Sequence, residues 1–262
     1  MAQPLHVDRF DDGVVLLRLD VPERRNAMTE ELTAAWVATL GALAADDEVR
    51  CVAVTGEGPA FCAGGDLGWL ADSGALSTDR LRSRMLPFYR AWLRIRDLEV
   101  PTIAVLNGAA VGAGLAIALA CDLRYAAPEA QLSMPFTSLG IHAGMASTWL
   151  LPEVAGLAVA REMLLTGRVV SGADAVALGL VNRVFAADSL REQALHVAAA
   201  VATRAPIATR LTKVALASGG HASFDAALAW ESVAQPLTMA TADLREGVQA
   251  ARERRSPRFT GR

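Results

Sequence analysis

Cysteine is scarce in this chain: Cys51, Cys62 and Cys121 are the three present in 262 residues. The number is odd and no pair has metal-site spacing. A disulfide scaffold is therefore excluded, no metal site is expected, and a reducing cytoplasmic compartment fits best. Charge of one sign is equally short. Lys and Arg total 25 against 28 Asp and Glu, a net charge of −3. No basic block and no acidic tail stand out, so nucleic acid is not an expected partner. Low-complexity linkers and internal repeats are also missing. The opening segment MAQPLHVDRFDDG lacks the apolar core of a signal peptide. The stretch from Ile103 to Ala120 approaches a membrane span in length. However, Asn107, Gly108, Gly112 and Gly114 interrupt it, and Asp122 and Arg124 follow. That pattern fits a buried strand, a tight turn and a buried helix, and no membrane partner is expected.

What the chain has is apolar residues, 53% of the total. That is ample for one large core and argues against disorder. The length suits one domain, with or without a small appendage. Residues 14–20, 49–55, 102–106, 123–126 and 181–185 read as strands from their β-branched and apolar runs. Residues 29–45 read as a helix with Thr29 as N-cap. Residues 78–98 read as an amphipathic helix, and the segment from Gly112 as a helix apolar all round. Strand and helix alternate through this half, which predicts an α/β protein with a mainly parallel sheet. Beyond about residue 155 the pattern is helical and alanine-rich: 156–168, 171–178, 188–203, 206–218 and 222–254. The division expected is a core over residues 1–195 and a helical region over 196–262.

Two loops share one logic. Ala63-Gly64-Gly65-Asp66 and Gly112-Ala113-Gly114 each follow a buried strand and place small residues where a helix is about to start. Small residues allow a ligand close to the backbone, and the first N–H groups of a helix lack partners. If the loops converge, they form an anion site for a carbonyl oxygen. If they do not, both are ordinary strand-to-helix turns. A dinucleotide fingerprint is excluded, because Ile117 stands where its third glycine belongs.

Several segments carry a resemblance: PERRNAM (Pro22 to Met28), FCAGGDL (Phe61 to Leu67), NGAAVGAGLAIALACDLRYAA (Asn107 to Ala127), LLTGRVVSGADAVALGLVNRVF (Leu164 to Phe185) and EGVQAARERRSPRF (Glu246 to Phe259). In this order they are similar to the enoyl-CoA hydratase/isomerase, or crotonase, family across nearly the whole chain. The resemblance implies a ClpP/crotonase-like fold of repeated ββα turns with a C-terminal helical trimerisation region. It also implies a homotrimer or homohexamer. The substrate would be an acyl- or enoyl-CoA thioester, with coenzyme A part of the substrate and no separate cofactor. By motif position, the N–H groups of Ala63 and Ala113 would form the oxyanion hole. Arg24, Arg25, Ala27 and the run Ala63, Gly64, Gly65, Asp66, Leu67 would hold coenzyme A. Arg254 and Arg255 would reach its phosphates, in this subunit or a neighbour, or would simply be solvated.

The chain departs from the pattern where the chemistry is done. The two glutamates of the family's hydratases fall on Ala116 and Phe136, and the aspartate of its dienoyl isomerases on Gly144. Neither Ala nor Phe moves a proton. His142 is the first candidate for a substitute acid or base, against packing under its loop. Asp66 is a weaker candidate, more in keeping with a helix cap. Cys62 reads as a reactive thiol or a small buried residue. Ser138, Ser147 and Thr148 have the chemistry to position water, and Glu153 reads as structural. Trp69, Met85, Phe88, Tyr89 and Trp92 line an acyl pocket or pack the core. The expected activity is enoyl-CoA hydratase- or isomerase-like. Non-catalytic acyl-CoA binding and thioester hydrolysis or decarboxylation are the alternatives.

Overall fold

Continuous burial on both faces is what a parallel sheet demands, and the central strands meet it. The computed structural model describes residues 3–66, 68, 76–217 and 223–262. Strands β1 (Leu5–Arg9), β2 (Val14–Leu19), β3 (Cys51–Gly56), β5 (Thr102–Leu106), β7 (Leu123–Ala126) and β10 (Arg183–Val184) form a six-stranded sheet in the order β1-β2-β3-β5-β7-β10. Its first pair is antiparallel and the others are parallel. Every residue of β3 and β5 is buried.

A second sheet lies behind it. Strands β4 (Ala60–Cys62), β6 (Ala109–Val111), β8 (Gln131–Ser133) and β9 (Val169–Ser171) pair in the order β4-β6-β8-β9. β3, β5 and β7 each pass within a few residues into β4, β6 and β8, one in each sheet. After β6 the chain enters helix α3 (Ala113–Ala120), all of whose residues are buried. This is the ββα turn. None of the second-sheet strands was legible in the sequence, nor was β1. A strand of three residues is too short to show alternation.

Helices α1 (Glu30–Ala44) and α2 (Thr78–Leu93) clasp one another through Trp36 and Trp92, whose rings stack at 5.1 Å. The Trp92 indole N–H donates to Thr33 Oγ1 (3.0 Å). Trp92 is therefore core, not pocket lining. Thr29 caps α1 as expected, accepting from the Leu32 N–H. α2 ends at Leu93 and tightens into a 3₁₀ turn at Arg94–Asp97.

The C-terminal half holds α4 (Ser147–Thr166), α5 (Gly172–Ala175), α6 (Leu190–Ala202), α7 (Pro206–Ala217), α8 (Phe224–Met239) and α9 (Ala242–Glu253). α4 begins nine residues before the expected 156 and is kinked at Gly156 (φ 78°, ψ 161°). The helix expected over 222–254 divides at Ala240 and Thr241, where the Thr241 hydroxyl caps the next helix. α6 packs on the six-stranded sheet, so the expected division at 195 falls inside a core helix. Among the described residues, no helix is long and apolar enough to cross a membrane, and no cluster of His, Cys, Asp and Glu could hold a metal.

Candidate active site

The first loop is fixed by a turn distant in sequence. Pro22–Arg24 form a 3₁₀ turn, after which Arg25 and Asn26 both take positive φ (51° and 55°). Asn26 is fully buried and holds this shape with its side chain. Its Oδ1 accepts from the Val21 N–H (2.9 Å), and its Nδ2 donates to the Glu57 and Ala60 carbonyls (2.9 and 2.8 Å). The turn is stitched to the glycine loop in both directions: the Ala63 N–H donates to the Arg25 carbonyl and the Met28 N–H to the Gly64 carbonyl, each at 2.9 Å.

That stitching corrects one expectation. The Ala63 N–H already has a backbone acceptor, so it is not available to a ligand. Two residues on, the Gly65 N–H makes no hydrogen bond among the described residues. Ala113, the first residue of α3, likewise has no acceptor for its N–H among the described residues. The two loops touch. A Cβ on Gly64, which sits at φ 92°, would lie 2.6 Å from the Val111 carbonyl oxygen and 3.3 Å from the Ala113 nitrogen. A Cβ on Gly114 would lie 2.1 Å from the Cys62 carbonyl oxygen. Only glycine allows this approach of helix to loop. The engagement of the Ala63 N–H was not legible in the sequence because its acceptor, the Arg25 carbonyl, lies nearly forty residues away.

Both loops open onto a cleft of about 630 Å³. Arg24, Arg25, Ala27, Ala63, Gly64, Gly65, Asp66, Ala113, Phe136 and His142 all line it. Leu67 and Trp69 lie outside the described residues. Arg24 forms an ion pair with Asp66 across the rim. Arg254 and Arg255 do not reach this cleft. The Arg255 guanidinium is engaged instead by Glu246 (2.6 and 2.9 Å) and Glu253 (2.6 Å).

The far wall is apolar. Met85, Phe88, Leu139, Ile141 and Met145 line it, with the Tyr89 phenol among them. Phe136 packs beside the second glycine loop: a Cβ on Gly112 would lie 3.6 Å from its Cζ. Ala116 is fully buried within α3. The carboxylates among the described lining residues are Glu23 and Asp66, both on the rim with the arginines.

His142 sits exposed in the loop after the 3₁₀ turn Thr137–Leu139, and its Nδ1 lies 2.7 Å from the Ala143 carbonyl oxygen. A carbonyl only accepts, so Nδ1 carries the proton in the neutral ring and Nε2 keeps its lone pair. Burial holds the Tyr89 hydroxyl above its ordinary pKa. Ser147 is not free to position water: its hydroxyl donates to the Gly144 carbonyl (2.6 Å). Glu153 lies 3.9 Å from Arg96. Cys62 is fully buried and its thiol is pushed up to about 12 by desolvation, which excludes a thiolate nucleophile.

The enoyl-CoA hydratase/isomerase family profile matches residues 9–262. The chain belongs to this family. It is 36% identical over 260 residues to the mitochondrial enoyl-CoA hydratase domain-containing protein 2 of Bos taurus, covering 96% of this chain and 86% of that one. It is 33% identical over 262 residues to the mitochondrial methylglutaconyl-CoA hydratase of Rattus norvegicus, covering 98% and 82%. The enoyl-CoA hydratase of Bacillus anthracis superposes with a TM-score of 0.93 at 32% identity, covering 99% of this chain and all of that one. The two-sheet arrangement is thus the crotonase fold, and this enoyl-CoA hydratase/isomerase family enzyme carries its cleft where the two glycine loops meet.

Proposed function

We propose that the enzyme binds an enoyl-CoA thioester with its carbonyl oxygen on the N–H groups of Gly65 and Ala113, and moves a proton along the acyl chain through the enolate. The observation that carries this reading is the pair of free backbone donors on two touching loops. A thioester α-proton is weakly acidic, and preorganised donors lower the cost of the anion by about 3–4 kcal/mol each. Arg24, Arg25, Ala27, Gly64 and Asp66 would hold the coenzyme A body at the rim. The apolar wall suits a hydrocarbon acyl group. His142 Nε2 is the proposed base.

Isomerisation is favoured over hydration by Ala116 and Phe136. With an alanine and a phenylalanine at those positions, the carboxylates among the described lining residues are confined to the rim and none is placed to hold an attacking water, whereas shifting a double bond needs only proton transfers. The same poverty of carboxylates is the observation that favours the second reading, an acyl-CoA carrier without turnover. We further infer a homotrimer or a pair of trimers, consistent with exposed Phe224, Leu228, Val233 and Leu237 along α8. A cytoplasmic setting accords with three unpaired thiols.

The test compares crotonyl-CoA hydration with isomerisation of a 3-enoyl-CoA, beside titration with a saturated acyl-CoA. Binding with isomerisation at about 1 per second or faster is expected, with hydration far slower. Efficient hydration, or binding with neither reaction, contradicts the reading.

A further inference from the structure

Among the described residues, the apolar wall of the cleft holds one polar side-chain group that the oxyanion site and His142 leave unused. Tyr89, on α2, lines the cleft with Phe88, Met85 and Gly144. Its hydroxyl oxygen lies directly against Gly144: a Cβ there would sit 2.5 Å from it. Gly144 is itself held in place, because its carbonyl accepts from both the N–H (3.0 Å) and the hydroxyl (2.6 Å) of Ser147. The phenol therefore fills the space that any side chain at residue 144 would need. It makes no hydrogen bond among the described residues. A polar group at an apolar wall normally finds a partner. One left open to the cleft is available to a ligand.

The geometry points to the Tyr89 hydroxyl as the proton donor that completes the reaction, delivering its proton to the γ-carbon of the dienolate held by Gly65 and Ala113. This rests on the enolate reading above. The balance is simple. A base takes the α-proton of a 3-enoyl thioester, and the C–H electron pair becomes the dienolate. The O–H bond of Tyr89 breaks as the γ-C–H bond forms, giving the 2-enoyl thioester and a phenolate. Solvent water returns a proton to the phenolate, and the protonated base returns its own to solvent. No oxidant or other reactant is needed. The direction of the phenol's shift agrees, since burial keeps it protonated and hence a donor rather than a base.

The experiment follows a 3-enoyl-CoA in D2O by NMR with the wild type and with Tyr89→Phe, which keeps the ring and deletes the hydroxyl. Wild type is expected to exchange the α-proton and to isomerise. Tyr89→Phe is expected to keep α-exchange and saturated acyl-CoA binding, and to isomerise about 100-fold more slowly, the smaller end of general-acid effects. Gly144→Ala, whose new methyl displaces the hydroxyl, is expected to behave alike and guards against an unfolded first variant. Isomerisation by Tyr89→Phe at the wild-type rate overturns the assignment. So does joint loss of exchange and isomerisation with binding intact, which would place Tyr89 in the first step. Absence of α-exchange in the wild type overturns the enolate reading itself, a distinct failure.

Discussion

Whether a backbone N–H is spent or free decides the site at the scale of the residue. Ala113 stands at the first position of α3, where a helix tolerates proline because that N–H has no intrahelical acceptor. Ala113→Pro should therefore fold and lower any enolate-dependent rate by about 10²–10³, checked by steady-state kinetics beside a thermal melt. Wild-type kinetics in a folded variant would exclude that donor. His142→Ala should lower turnover by about 10²–10⁴ with binding of a saturated acyl-CoA retained. Full activity would remove His142 from the mechanism. The three thiols give a further check. All are buried, and burial pushes each up to about 12, so a thiol reagent should find none in the native enzyme and three after denaturation.

Two elements carry charged ties to the rest of the fold. α7 is anchored by Lys213, buried, whose Nζ lies 2.8 Å from Asp122 Oδ2 and donates to the Val100 carbonyl at 2.8 Å. Asp122 in turn accepts from the backbone and hydroxyl of Thr102 at the start of β5. Lys213→Met leaves that carboxylate without its cation and should cost about 2 kcal/mol, read as a lowered Tm. The C-terminal tail folds back on α9. Glu246 is paired with Arg255 and accepts from the Arg258 N–H (2.8 Å), and the guanidinium first, then that N–H, depress its pKa from 4.5 to about 2. The folded value is the lower one, so the tether is fully present above about 4.5 and is lost as pH falls toward 2. Hydrogen exchange of the tail peptide, corrected for intrinsic rates, should rise through that window in the wild type. In Glu246→Gln it should already be high at neutral pH. Equal protection in both would contradict the tether.

For the whole molecule, legibility in the sequence followed the length of the signal. α1 and β5 were placed within a residue or not displaced at all, because each combines a periodic or continuous apolar run with a clear start. The second sheet was invisible, being built from three-residue strands whose partners lie twenty or more residues away. The glycine loops and the apolar wall around Phe136 were legible as local patterns. The engagement of the Ala63 N–H was not, since the Arg25 carbonyl that takes it up comes from a turn held by Asn26. The Tyr89 hydroxyl was legible only as an aromatic, because its place against Gly144 depends on how α2 lies across the cleft.

The central claim is that two backbone N–H groups stabilise a thioester enolate. The measurement that tests it most directly is α-proton exchange of a bound 3-enoyl-CoA in D2O, followed by NMR for wild type and Ala113→Pro at matched occupancy. Exchange well above the uncatalysed rate in the wild type, and its fall by about 10²–10³ in the variant, is the predicted result. Tight binding with exchange no faster than in buffer would contradict it and leave an acyl-CoA carrier.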